Sequence, residues 1–185
     1  MVTFETSLRY QDWVESPVFQ VTAAGAFALA TSLAAQIEIP TYPVPFTLQT
    51  LFVLLAGGML KPRPAFLSMV LYLFVGTLGL PVFSGWSFGA AKLLGPTGGY
   101  LLAFPLAAFS VAYITKNRKS FLWMVFSMTI GSLIFFLCGT IQLNLVLFHN
   151  WSQSIKAGFL VFSFWDAVKI VAAASIASQY HKVLH

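Results

Sequence analysis

Charge is scarce in this chain. Of its 185 residues 8% are charged; five are acids, three are histidines and one is a cysteine. A soluble domain carries about 25% charged residues, so a water-solvated globule is excluded. Cys138 cannot form a disulfide within the chain, and a lone thiol in an apolar run makes a poor metal site. His149, His181 and His185 fall at the ends of apolar runs or in the tail. None is placed to act as the base of an intramembrane hydrolase, although Ser127 and Ser132 offer hydroxyls. The chain has no Gly-x-x-x-x-Gly-Lys-Ser/Thr loop, which argues against ATP hydrolysis by the chain itself, and no His-Glu-x-x-His pair for a metal. No catalytic residue, metal site or bound cofactor is expected.

What is abundant is apolar. Hydrophobic residues make up 58% of the chain, and the mean hydropathy is +0.83. Six apolar segments are legible, at about 18–37, 47–60, 65–80, 97–115, 121–148 and 155–179. The second is short for a bilayer crossing of about 20 residues. The fifth is long enough to tilt strongly or to bend near Gly139. The expected fold is an all-α membrane protein with six transmembrane helices, and 1–185 reads as a single integral membrane domain. Residues 1–16, with Glu5, Arg9, Asp12 and Glu15, read as an amphipathic or irregular lead-in. They do not read as a cleaved signal with a positive start and an apolar core.

The net charge of +5 suggests nucleic acid in a soluble protein. Here the bases sit in short loops, so membrane topology explains them better, and no nucleic-acid partner is expected. Six spans put both termini on the side of the second and fourth loops. That side holds Arg9, Lys61, Arg63, Lys116, Arg118, Lys119 and Lys182, whereas the other side holds Lys92 and Lys156. The excess of bases predicts cytoplasmic termini. The two outward loops, Ile39–Phe46 and Pro81–Pro96, are apolar and aromatic, with Val82, Phe83, Trp86 and Phe88. Irregular backbone at membrane depth is tolerated where it is buried or lines a cavity, so these loops read as caps over a pocket. An interfacial aromatic belt is the plainer alternative.

Asp166 and Lys169 stand three residues apart in an apolar run, on one face of a helix. A charge well inside a span costs about 2.5–3.5 kcal/mol on insertion scales. Two readings are open: a mutually neutralising pair that fixes helix packing, or a polar ligand site. In the first segment Ala26, Ala30 and Ala34 form a small-residue stripe that lets a second helix approach closely, from this chain or from a partner.

Three stretches carry a resemblance. They are Pro43-Val-Pro-Phe-Thr-Leu-Gln-Thr50, the pair Gly79-Leu-Pro-Val-Phe83 and Leu94-Gly-Pro-Thr-Gly-Gly-Tyr-Leu101, and Asp166-Ala-Val-Lys169. With six spans at this length, the chain resembles the BioY family over most of 18–179. These are the biotin-capturing substrate subunits of energy-coupling-factor (ECF) vitamin transporters. The resemblance implies a six-helix protein of the cell membrane with an outward-facing pocket for biotin. It implies docking on a transmembrane coupling protein with two ATPase subunits, so that any ATP is used by partners. The alanines Ala26, Ala30 and Ala34 then face the coupling protein. Gln49, Trp86, Tyr100, Asp166 and Lys169 become candidate biotin contacts. Lys92 is a candidate for the biotin carboxylate, or a headgroup-facing lysine. Capture of another vitamin, or a stand-alone facilitator of small anions, remains as the alternative. Glu38 is either interfacial or a partner of Lys92 over the pocket.

Overall fold

The computed structural model describes Val14 and residues 16–160 and 163–184; nearly all of the 1–16 lead-in lies outside these. The described chain is mostly helical. Its main elements are α1 (Pro17–Ala35), α2 (Gln49–Met59), α3 (Pro62–Thr77), a short α4 (Ala90–Leu94), α5 (Gly98–Thr115), α6 (Phe121–Leu143), α7 (Trp151–Gly158) and α8 (Ser163–Leu184). Two short antiparallel strands, β1 (Glu38–Ile39) and β2 (Phe46–Thr47), close the loop between α1 and α2.

Helix starts follow local chemistry. Ser16 caps α1, its hydroxyl accepting from the Phe19 N–H at 3.2 Å, and Pro17 occupies the first turn. Pro62 likewise opens α3. Among the described residues, three apolar helices are long enough to cross a membrane: Pro17–Ala35, Gly98–Thr115 and Phe121–Phe148.

The short α2 is the hub of the bundle. It packs on α1, α3, α5, α6 and α8. At about 1.5 Å per residue, its eleven residues span roughly half of a 30 Å hydrocarbon layer. It is nonetheless surrounded by protein, with Val53, Leu54 and Ala56 fully buried. Gly57 and Gly58 make this possible. A Cβ at Gly57 would meet Val111 and the Ala108 carbonyl on α5, and one at Gly58 would meet Met128 on α6 and Ala177 on α8. Around the hub, large apolar side chains such as Leu29, Leu33, Phe74, Leu106, Leu122 and Leu137 point outward, as they do when the solvent is lipid.

Two expectations are corrected. The sixth segment is not one helix from 155 to 179. α7 is capped by Asn150, whose side chain accepts from the Gln153 N–H at 3.2 Å, and ends at Gly158. α8 is a separate helix, so Asp166 lies in its first turn, not mid-span. At the end of α7 the Tyr100 hydroxyl donates to the Gly158 carbonyl at 2.7 Å, and a Cβ at Gly158 would press on that hydroxyl. The fifth segment stays α-helical through Gly139. It departs from α geometry at Asn144–Phe148, where a π-helical turn closes with the His149 N–H donating to the Asn144 carbonyl at 2.8 Å. Gly139 is instead the seat of the Tyr100 ring.

In α1 the inward row is Ala24, Ala28, Thr31 and Ala35, all buried. Of the expected stripe, Ala26 is exposed and Ala30 half-buried, but Ala34 is 2% exposed and packed inside the chain.

Candidate functional site

At one end of the bundle, α2, α5, α6 and α8 enclose a cavity of about 500 Å³, its mouth included. Leu101, Phe104, Phe135 and Phe136 supply apolar walls. Val44, Pro45 and Thr47, from the stretch between α1 and α2, and Ser84, from the stretch between α3 and α4, also line it. Gln49, Thr50, Thr97, Tyr100, Asp166 and Lys169 complete the lining. Apolar walls with a few placed polar groups are the usual make-up of a small-molecule site.

The polar centre is built from two helices and a loop. Thr50 stands between the charges: its hydroxyl donates to Asp166 Oδ1 at 2.9 Å and accepts from Lys169 Nζ at 2.9 Å. Lys169 Nζ also meets Asp166 Oδ1 at 3.2 Å and donates to the Thr47 carbonyl at 2.8 Å. An ammonium has three N–H donors, so these three contacts use all of them. The Phe46 ring lies 4.1 Å from Nζ and adds a cation–π contact. Asp166 differs. Oδ1 carries the internal bonds, whereas Oδ2 has no partner among the described residues. The carboxylate also sits in the first turn of α8, where the helix dipole favours an anion. The centre can therefore accept a hydrogen bond from a ligand at Oδ2, while Lys169 holds the loop and neutralises the acid.

Tyr100 lines the cavity. Its hydroxyl is spent on Gly158, and its ring meets Phe136 edge-on at 6.4 Å. The adjoining glycines explain the motif before it. A Cβ at Gly98 would overlap the Leu93 carbonyl, and one at Gly99 would overlap the Cys138 carbonyl. Gln142 closes the junction, its amide donating to the carbonyls of Leu93 at 2.8 Å and Gly95 at 2.7 Å. α5 therefore starts tight against α6 and brings Thr97 and Tyr100 to the cavity.

Two candidates lie elsewhere. Trp86 and Lys92 are not in the lining. The chain reverses between Phe83 and Ser87, with the Phe83 N–H donating to the Ser87 carbonyl at 3.0 Å. That turn buries Phe83 completely, aims Ser84 inward and leaves Trp86 at the tip, 66% exposed. Gln36 holds the tip from α1, donating to the Phe83 carbonyl at 3.1 Å and accepting from the Trp86 N–H at 3.0 Å. Lys92 is half-buried on α4. No ion pair joins it to Glu38 among the described residues, and Glu38 Oε2 is buried without a partner.

Sequence reasoning passed over Thr50, Tyr72 and the phenylalanines of the wall. Thr50 ends a stretch already singled out. Tyr72 is a lone tyrosine in an apolar helix, and a buried tyrosine hydroxyl needs an acceptor.

The opposite end of the bundle is basic. α2 and α5 run from the cavity to a groove lined by Lys61, Arg63, Lys116 and Lys119.

Comparison with known proteins gives one answer. The family model described as "BioY family" matches residues 7–185. The biotin transporter BioY of Thermotoga maritima is 38% identical over 164 residues, covering 89% of this chain and 96% of that protein. A probable biotin transporter BioY of Pyrococcus horikoshii is 39% identical over 160 residues, covering 86% and 94%. The crystal structure of the S-component for biotin from an ECF-type ABC transporter superposes with a TM-score of 0.82 at 26% identity, covering 89% of this chain and 92% of that one. The family model over residues 7–185 and relatives 38% and 39% identical over most of their length show that the chain belongs to the BioY family.

Proposed function

We propose that this chain captures biotin and carries it across the cell membrane as the substrate-binding subunit of an ECF-type transporter, acting as a transport component and not as an enzyme. The observation that carries the reading is the centre formed by Asp166, Thr50 and Lys169, set among phenylalanines under two apolar loops. Biotin has a ureido ring with two N–H donors and one carbonyl. Its thiophane ring and alkyl chain are apolar. Asp166 Oδ2 suits a ureido N–H, and the walls of Phe104, Phe135 and Phe136 suit the rest. Relatives named biotin transporters support the substrate.

The proposal includes six spans. α1, α5 and α6 meet the length of a crossing. α2 and α3 are shorter, and α8 carries Asp166, Lys169, His181 and Lys182 in its 22 residues; all three rely on neighbours. Both termini are cytoplasmic, because the groove of Lys61, Arg63, Lys116 and Lys119 lies at the end away from the cavity. The cavity then opens outward. The coupling protein and two ATPase subunits are the partners, and they supply the ATP chemistry. Ala26 and Ala30 offer the coupling protein a close approach on α1. Trp86 and Lys92 lie outside the cavity lining; in this reading they act on arriving biotin, with Lys92 meeting its carboxylate.

The test is a calorimetric titration of the purified chain with biotin and no nucleotide, followed by competition with other water-soluble vitamins. Saturable heat with a Kd between nanomolar and micromolar, about −8 to −12 kcal/mol, displaced by biotin alone, is the expected result. No heat, or tighter binding of another vitamin, overturns the substrate.

A further inference from the structure

We infer that Tyr72 is a positioning residue for ligand selection: its hydroxyl fixes the Gln49 amide so that the cavity presents an N–H donor there and admits a ligand with an acceptor at that point. This rests on the reading of the cavity as the biotin site and adds to it a residue outside the lining.

The geometry favours one orientation of the Gln49 amide. Tyr72 is 1% exposed on α3, with its ring edge-on to Phe83 at 5.4 Å and stacked on Phe104 at 6.5 Å. The hydroxyl therefore has little freedom. It carries one hydrogen and has two acceptors in reach, Gln49 Oε1 at 2.8 Å and the Val82 carbonyl at 3.4 Å. Only the first lies within the ordinary range for an O–H···O bond. Turning the amide would make the hydroxyl accept from Nε2 and leave its own hydrogen to the longer Val82 contact; with Oε1 engaged, the amide nitrogen is the group left over. Gln49 is 3% exposed, yet it lines the cavity. Its Nε2 has no partner among the described residues and is not among the polar atoms sealed away without one. The space it meets is the cavity.

Asp166 completes a polarity. Its Oδ1 is taken by Thr50 and Lys169, and Oδ2 is left as an acceptor. The cavity thus offers a donor at Gln49 and an acceptor at Asp166. A cyclic urea presents a carbonyl flanked by N–H groups and satisfies both. A ligand with an N–H in place of the carbonyl would set donor against donor in a desolvated site, a repulsive element of the kind that specificity uses.

The probe is 2-iminobiotin, in which the ureido oxygen is replaced by an imine that is protonated at neutral pH and can only donate. Biotin and 2-iminobiotin are titrated into the purified full chain and into two variants, with melting temperatures recorded. The unaltered chain should prefer biotin on the order of tenfold to a hundredfold, the range for one unmatched buried polar group. Tyr72→Phe releases the amide to turn either face inward, so the preference should fall by roughly tenfold, with the analogue gaining while biotin loses. Gln49→Glu keeps an acceptor for Tyr72 but has no N–H, so it should lose biotin and favour the analogue. A purely structural Tyr72 would weaken both ligands equally, and an unchanged ratio in Tyr72→Phe overturns the inference. Should that variant not fold, an unchanged ratio in Gln49→Glu overturns it. Absence of biotin binding by the unaltered chain is a different result and removes the biotin reading beneath it.

Discussion

Lys169 and Thr47 are joined by a hydrogen bond of 2.8 Å from the ammonium to the backbone carbonyl. It ties α8 to β2, at the end of the stretch between α1 and α2, across 122 residues of sequence. A charge that looks like a ligand group in sequence thus also holds the cover of the cavity in place. Loop closure and the ion pair share one side chain.

Thr50 links the same centre to α2. Thr50→Val keeps the shape and removes a hydroxyl that bonds both charges. A hydrogen bond to a charged group is worth about 1.5–3 kcal/mol. Biotin affinity should fall on the order of tenfold to a hundredfold, with the melting temperature lowered by a few degrees. Calorimetry and thermal unfolding in the same detergent check this; unchanged affinity would place Thr50 outside the working centre.

Gly139 should tolerate no side chain. A Cβ there would run into the Tyr100 ring. Gly139→Ala should cost about 1–3 kcal/mol of stability, typical of overpacking, and should weaken biotin by displacing that ring. Thermal unfolding together with a biotin titration reads both effects.

The alanines of α1 should divide. Ala34 is buried in the chain, so Ala34→Leu should destabilise the fold by about 1–3 kcal/mol. Ala30 is half-buried on the outer side, so Ala30→Leu should leave biotin binding intact and slow coupled uptake by holding a partner helix away. Equal loss of binding and uptake in Ala30→Leu would mean that this position packs within the chain.

Orientation can be read with a reporter fused after His185. The account expects activity on the cytoplasmic side, following the bases Lys61, Arg63, Lys116 and Lys119. Activity only outside would reverse the cavity.

Much of the site was legible because its residues are local in sequence. The run from Pro43 to Thr50 carries Phe46, the Thr47 carbonyl, Gln49 and Thr50, all at the polar centre or in the lining. Asp166 and Lys169 are one turn apart. The end of α7 at Gly158 was not legible, because 155–179 is dominated by apolar residues and its charges, Lys156, Asp166 and Lys169, do not mark a break, while the contact of Gly158 with Tyr100, 58 residues away, exists only in the fold. The role of Tyr72 was hidden for the same reason: its acceptor, Gln49, lies on another helix. Trp86 and Lys92 were drawn to the cavity by loop composition. Which residue of a loop turns inward depends on the turn between Phe83 and Ser87, and composition does not encode that.

The most direct measurement of the central claim uses Asp166→Asn, Lys169→Met and the double variant, with biotin affinity and melting temperature recorded for each. Each single change leaves a buried charge without its counter-ion, which is destabilising, whereas removing both charges relieves that penalty. Asp166→Asn should weaken biotin on the order of tenfold to a hundredfold, the worth of a hydrogen bond to a charged acceptor. If the pair is the ligand site, the double variant recovers its melting temperature while its biotin affinity stays low. Recovery of both would show that Asp166 and Lys169 only hold the helices together, and would contradict the account.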